Sequence, residues 1–197
     1  MKYGKSLLHA LRFFLRIDEA ETQVTASEHE TLLIHARGSR LAAELGVFEG
    51  ATTAWIAKVM APDGQLYGVD PFFTGRFGLS YGLLITQVGL RRMRLTNRVK
   101  LIRKLSFDAA KEVPDALDFV FVDGDHRYQA IERDWQDWSA KLRLGGVIAL
   151  HDTHCLPGIP AEHMHGSVHF FREAIAQDPR FELIAQVDSL NVLRRVA

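Results

Sequence analysis

From Ser39 onward, short apolar runs alternate with longer segments whose apolar residues recur every three or four positions. That alternation predicts strands and helices in turn, and hence an α/β domain with a mostly parallel sheet covered on both faces. The predicted strands span 39–45, 65–69, 99–102, 117–122 and 147–150. Helices are predicted over 52–60, through Leu83, Leu84, Val88, Leu90 and Met93, and over 128–142, the last carrying Trp135 and Trp138 as packing residues and closed by Gly145 and Gly146. Two further runs, 181–187 and 191–196, flank Asp188 and Ser189 and predict an antiparallel hairpin.

Ahead of this region, Leu7, Leu8, Leu11, Phe14 and Leu15 lie at helical spacing with Lys2, Lys5, Arg12 and Arg16 around them. An amphipathic helix follows from that pattern, expected to pack on the core or on a second copy of the chain as a homodimer; attachment to a membrane surface is the less favoured alternative. Thr25 or Ser27 then caps a helix with Glu28 and Glu30 in its first turns and Leu32, Leu33 and Ile34 as apolar surface, stopping near Gly38. The chain therefore divides into an N-terminal helix and linker, 1–24, and a domain, 25–197.

The 197 residues suffice for one α/β core. Lys and Arg together number 24, as do Asp and Glu, so global charge gives no reason to expect nucleic acid as a partner. Arg12 interrupts the apolar run of the first helix, and no apolar stretch reaches the roughly 20 residues needed to span a bilayer. The single Cys155 cannot form an internal disulfide, and a cytoplasmic, soluble protein is the expectation.

Candidate chemistry clusters at the predicted strand ends. Strand one runs into Glu44-Leu45-Gly46-Val47-Phe48-Glu49-Gly50-Ala51-Thr52 before a helix. Glycines at 46 and 50 permit a sharp turn and close approach of a ligand, while the next helix presents its free N–H groups. Asp70 closes strand two about 20 positions after Gly50, where a carboxylate can accept the hydroxyl protons of a ribose. The glycine spacing is not the G-x-G-x-x-G of dinucleotide enzymes. Strand four ends in Asp123-Gly124-Asp125-His126 and strand five in His151-Asp152-Thr153-His154. Ligands of open α/β sheets bind beyond the carboxyl ends of strands, so these groups are expected to share one crevice with the glycine loop.

These three motifs, with Asp70-Pro71, resemble the methyltransferase-24-like family of class I S-adenosylmethionine-dependent methyltransferases, related to small-molecule O-methyltransferases; the likeness covers roughly residues 25–197. The resemblance implies a Rossmann-like, seven-stranded sheet with a reversed final hairpin. It also implies cofactor contacts from Glu44, Gly46, Gly50, Thr52, Asp70, Ser106, Phe107 and Asp123, although Ser106 can equally serve as a helix cap. Related O-methyltransferases place a divalent metal on positions matching Asp123, His151 and Asp152. His151 stands where a carboxylate is usual, which leaves Mg²⁺, a softer metal or no metal open. The general base is expected to be His126 or Asp125. His126 is preferred because its ordinary pKa of about 6.5 suits proton abstraction near neutrality.

The implied reaction is methyl transfer to a small-molecule acceptor, most simply to oxygen. Phe72, Phe73, Phe77 and Tyr81 are candidates to line its pocket, and Arg76, Arg91, Arg92, Arg94 and Arg98 to meet an anionic acceptor, with core packing and solvated helix surface as their respective alternatives. The segment 153–169, containing His154, Pro157, Gly158, Pro160, His163, His165 and Gly166, is expected to be a lid loop. Rival readings are a metal-dependent hydrolase or oxygenase built on His151 and Asp152, a non-catalytic nucleotide-binding module and, more weakly, a dehydrogenase. Calorimetric titration separates them: S-adenosylmethionine binds and NAD does not, and Asp70→Ala removes much of that binding. Full affinity in the Asp70 variant contradicts the ribose assignment.

Overall fold

The computed structural model describes residues 7–75, 78–155 and 165–197. Arg76, Phe77, Pro157, Gly158, Pro160 and His163, together with Lys2 and Lys5, lie outside the described residues. Seven strands form one sheet in the order β3-β2-β1-β4-β5-β7-β6: β1 (Leu41–Leu45), β2 (Gln65–Val69), β3 (Val99–Ile102), β4 (Leu117–Val122), β5 (Leu142–Leu150), β6 (Phe181–Val187) and β7 (Leu190–Arg195). The first five pair in parallel. β7 runs antiparallel to both β5 and β6, as the predicted hairpin requires. From β1 the chain steps outward through β2 to β3, then returns to lay β4 on the other side of β1. This reversal of direction opens a crevice between the ends of β1 and β4, the usual ligand position in such sheets.

Alternation within the strands divides the core. Ala42, Phe119 and Phe121 point to one face, where they pack with Leu32, Ala36, Ile56, Ala57 and Leu90. These helical residues belong to α2 (Ala26–Ala36), α3 (Ala51–Val59) and α4 (Tyr81–Arg92). Ala43, Leu45, Val120 and Val122 point to the other face and meet Ile131, Trp135 and Trp138 of α6 (Tyr128–Ser139) and Phe170 and Phe171 of α7 (Gly166–Glu173). Both tryptophans are buried, as expected of residues four and three apart on one helical stripe. A strand buried on both faces reads as a continuous apolar run, which is why β4 was legible to the residue.

Three details differ from the sequence expectation. Gly145 and Gly146 do not close α6, which ends at Ser139; they sit inside β5, beside a shift of register against β4. A Cβ on Gly146 would lie 2.8 Å from the Leu117 carbonyl oxygen, so the glycine is needed for close strand approach rather than for helix termination. The four-residue helix α5 (Ser106–Ala109) is too short for a periodicity to register. Finally, the segment expected to be a loop up to His169 becomes helix α7 at Gly166, where a Cβ would stand 2.3 Å from the Tyr128 nitrogen.

The N-terminal helix α1 (Leu7–Phe14) packs on the domain through Ala10 and Phe13, which meet Ile85 of α4. Arg92 donates to the carbonyl oxygens of Phe13 and Phe14, satisfying the end of the helix. Leu7, Leu8, Leu11 and Leu15 remain largely exposed, so the apolar face is broader than the contact it makes.

Gly46 fixes how closely β1 and β4 end. Its φ is +94°, and a Cβ there would lie 2.0 Å from the Asp123 carbonyl oxygen. A side chain meets both a strained backbone conformation and a collision with main chain, which has nowhere to yield. Gly46→Ala is expected to cost at least about 2 kcal/mol of stability, seen as a lower urea midpoint at unchanged slope. An unaltered midpoint would contradict this approach.

Candidate functional site

Parallel register brings the site residues to one level. Leu45 is paired with both Val69 and Val122, and Val122 with Leu150. The residues that follow, Asp70, Gly46, Asp123 and His151, therefore form a row across the carboxyl edge of four adjacent strands. The chain seals the row with backbone bonds: Gly46 N–H donates to Val69, Asp123 N–H to Leu45 and His151 N–H to Val122. Asp70 and Asp123 thus lie on the same edge, on either side of Gly46.

Asp70 shapes the glycine loop. One carboxylate oxygen accepts the N–H groups of Val47 and Phe48 at 3.0 Å each, and the other accepts that of Phe72 at 2.6 Å. Phe48 and Phe72 are both held at positive φ, as is Gly50, which caps α3. Each carboxylate oxygen can accept more than one bond, so bracing the loop leaves Asp70 acceptor capacity toward a ligand. Phe72 is itself buried, while Phe73 is exposed.

Beneath the loop Glu44 is fully buried. One of its oxygens accepts the Thr53 hydroxyl, and the other has no partner among the described residues. Burial, together with the nearby charges of Asp123 and Asp70, pushes its carboxyl well above the usual carboxylate range despite the Thr53 bond. A buried acceptor without a partner, between two further carboxylates, suits an incoming ammonium group. Thr52 faces Thr22 instead, their hydroxyl oxygens 3.3 Å apart. Glu49, also buried, accepts the Glu21 N–H at 2.7 Å and lies 3.1 Å from His9 Nε2, tying the N-terminal segment to the loop.

At the other end of the row, His151 is surrounded by acid. Its Nε2 donates to Glu28 Oε2 at 3.3 Å, and its Nδ1 lies 3.0 Å from Asp123 Oδ1 and 3.7 Å from Asp152 Oδ2. The Nδ1 contact is an ion pair, poorly aligned for a hydrogen bond. Glu28 also accepts the N–H groups of Thr25 and Ser189 and the Ser189 hydroxyl, closing a capping box at the start of α2. Burial opposes charge on both partners. For His151 the carboxylates of Asp123 and Glu28 outweigh it and raise the imidazole to about 10; for Glu28 the bonds from His151, Thr25 and Ser189 hold the carboxyl at about 2.

His126 lies beside this cluster, with Nε2 3.4 Å from Asp152 Oδ2. Asp152 is held at φ +52°, and its carbonyl oxygen accepts the Ser167 hydroxyl from α7 at 2.5 Å. The His126 carbonyl oxygen in turn accepts the Ser167 N–H, so α7 fastens both loops. Asp125 faces away from this pair. Arg127 donates to both of its oxygens through side chain and backbone and holds its carboxyl below the usual range. This leaves it poorly suited to take a proton.

Ser106 opens α5, and its hydroxyl bonds to Asp134, a buried carboxylate of α6 that desolvation pushes up to about 6. The Arg133 guanidinium stacks over Phe107 at 4.2 Å. Of the arginines, Arg92 and Arg98 bind backbone carbonyls rather than opening toward the crevice. A polar hollow of about 150 Å³ lined by His35, Arg37, Asp118 and Arg143 lies at the opposite, N-terminal ends of β1 and β4. Glu28, Glu49, Thr53 and Asp134 are contributors that sequence reading missed as site residues. Thr25 and Glu28 carry the capping-box spacing, but the contact of Glu28 with a histidine 123 positions away leaves no local signal.

Asp123, His151 and Asp152 do come together, but as ion pairs. Among the described residues, no group of three or more His, Cys, Asp or Glu side chains is disposed to hold a metal ion. Nε2 of His151 bonds to Glu28, while Nδ1, without a hydrogen-bond partner among the described residues, faces Asp123 and Asp152.

A seven-stranded sheet in this order, with a glycine loop at its switch point and a reversed final hairpin, defines a Rossmann-like class I methyltransferase fold. A family model described as a methyltransferase domain matches residues 43–153, more than half of the chain, and the chain belongs to that methyltransferase-24 family of S-adenosylmethionine-dependent enzymes. Solved structures agree in fold. The O-methyltransferase TomG of Streptomyces achromogenes, involved in tomaymycin synthesis and solved with S-adenosylmethionine, superposes with a TM-score of 0.67 at 17% identity, covering 100% of this chain and 93% of its own. An O-methyltransferase of Bacillus cereus, solved with S-adenosylhomocysteine, gives 0.67 at 17% identity, covering 98% and 92%. The S-adenosylhomocysteine-bound methyltransferase PaMTH1 of Podospora anserina gives 0.69 at 15% identity, covering 97% and 87%. A relative from Sinorhizobium fredii, uncharacterized protein y4gI, is 26% identical over 75% of this chain, which spans 16% of that protein's length.

The ionic cluster makes stability depend on pH. The native value of His151 lies above its ordinary 6.5, so its contribution is complete below about 6.5 and is lost as pH rises through about 10. The native value of Glu28 lies below its ordinary 4.5, so its contribution is complete above about 4.5 and is lost as pH falls through about 2. Urea midpoints at pH values of about 6, 8 and 10 should fall steadily in the natural chain and more shallowly in His151→Gln. Parallel declines in the two proteins would contradict the buried ion pairs.

Proposed function

We propose that this chain transfers the methyl group of S-adenosylmethionine to a hydroxyl oxygen of a small-molecule acceptor, with His126 as general base. The observation that carries the reading is the pairing of His126 with Asp152 on the same strand edge as the glycine loop: both side chains are about a quarter exposed, accessible yet oriented. The turn from Gly46 to Gly50 borders the methionine portion of the cofactor. The unpartnered oxygen of Glu44, with Asp123, receives its ammonium group, and Asp70 its ribose hydroxyls. Ser106 and Phe107, at the start of α5, border the adenine end.

When bound, the cofactor supplies an electrophilic methyl group on a cationic sulfur. The residues of this chain supply alignment and proton removal. With Nε2 3.4 Å from Asp152 Oδ2, His126 has Nδ1 to take the proton of the acceptor hydroxyl. As the oxygen–methyl bond forms and the carbon–sulfur bond breaks, the acceptor proton passes to His126. Asp152 steadies the resulting imidazolium, and the products are the methyl ether and S-adenosylhomocysteine. The rival hydrolase or oxygenase reading finds no support in the family match, which is to a methyltransferase domain.

His126→Ala is expected to leave calorimetric affinity for S-adenosylmethionine within about twofold of the natural value while lowering turnover by about 10²-fold or more. Turnover is read as S-adenosylhomocysteine released with a panel of phenolic, sugar and carboxylic acceptors. Undiminished turnover in the variant would remove His126 from the chemistry. Absence of turnover in the natural chain across the panel would favour a binding module.

A further inference from the structure

We infer that Glu49 is a positioning residue for cofactor binding: it locks the glycine loop to the N-terminal segment, so that affinity for S-adenosylmethionine depends on that segment being docked. The inference rests on the proposed function for the loop as cofactor site, and adds residues 7–22 to the parts that make it work.

Glu49 lies inside the turn, between Phe48 and the helix cap Gly50, and is 2% exposed. A carboxylate is costly to bury, and a turn that needed only packing would be served as well by an apolar side chain. Among the described residues, the hydrogen bonds to this carboxylate both come from the N-terminal segment. The Glu21 N–H donates to Oε2 at 2.7 Å, and His9 Nε2 lies 3.1 Å from the same oxygen. His9 is held in turn, with Nδ1 3.2 Å from Asp18 Oδ2, and Arg12 donates to both oxygens of Asp18. In the first turn of α3, the hydroxyl oxygens of Thr22 and Thr52 are 3.3 Å apart.

On its other sides the loop meets the domain itself. Asp70 accepts the N–H groups of Val47 and Phe48. From α4, a Cβ on Gly82 would lie 2.6 Å from the Phe48 carbonyl oxygen, and a Cβ on Gly50 would lie 2.7 Å from the Thr86 side chain. The N-terminal segment is the side that can yield. Its helix α1 packs through a small cluster of Ala10, Phe13 and Ile85, separate from the two large cores, and Leu8, Leu11 and Leu15 stay exposed. Val24 anchors the far end of the segment in the core beside α2 and α3. An element with so little buried contact opens at low free energy without global unfolding. Undocking withdraws both donors of Glu49 at once and leaves its carboxylate unsatisfied in the turn. Linkage requires the converse: a ligand that needs the ordered loop holds the segment in place by the same factor.

Measurements on the full chain, with S-adenosylhomocysteine as the probe, test this. By calorimetry, Glu49→Ala and His9→Ala should each weaken binding about tenfold. Glu49→Gln, which keeps an acceptor for the Glu21 N–H, should weaken it less. The double variant should lose no more than the worse single one, because both substitutions break the same contact. A lower melting temperature at unchanged affinity would make Glu49 merely structural and overturn the inference, as would additive losses. In the natural chain, saturation with the probe should slow amide exchange across residues 7–22. Exchange that slows in residues 46–52 but not in 7–22 overturns the inference, and this result decides if Glu49→Ala does not fold. A natural chain that fails to bind the probe overturns the proposed function and this inference together, whereas full affinity in the folded variants overturns the inference alone.

Discussion

The parallel register of β2, β1, β4 and β5 is the constraint on which everything else rests. Because Val69, Leu45, Val122 and Leu150 are mutually aligned, the residues that follow them emerge side by side. Four strands contribute one polar residue each, or a glycine, to a single edge. The glycine loop, the carboxylate that braces it and the ionic cluster are neighbours for that reason alone. Gly46 is the tightest point of this arrangement, since any side chain there would enter the backbone of the adjacent strand.

Above that edge the chain has solved a problem of charge. Glu28, Glu44, Asp70, Asp123 and Asp152 crowd a small volume, and each is stabilised differently. Glu44 is pushed toward its protonated form by burial. Asp70 is surrounded by backbone N–H groups. Glu28 and Asp123 share His151, and Asp152 lies between two imidazoles. An acidic pocket of this kind attracts a cationic ligand while avoiding the full desolvation penalty of uncompensated charge. Under the proposed function, whose methyl donor carries a sulfonium and an ammonium group, that electrostatic character suits the chemistry.

The N-terminal segment extends the same logic to the loop. His9 and the Glu21 backbone meet the buried Glu49, and Thr22 meets Thr52, so residues far apart in sequence support the glycine turn from outside. α7 does the equivalent for the ends of β4 and β5, with Ser167 bonding to both His126 and Asp152.

Much of this was legible in the chain itself. Strands β2, β3, β4 and β6 were readable to the residue because apolar runs bounded by turn residues leave a local imprint, and the glycine loop and the two acidic strand ends pointed to a ligand site. The boundaries failed where one residue type serves two purposes: Gly145 and Gly146 stop helices elsewhere but here permit two strands to approach. Tertiary structure alone decided which ionisable groups pair. That Arg127 occupies Asp125, that Glu28 reaches across the molecule to His151, and that His151 faces Asp123 as well are set by distances in the folded chain. Local pattern records which face of an element is buried; it does not record which charge waits on the other side, because pairing energy depends on separation and burial, and only the folded chain fixes those.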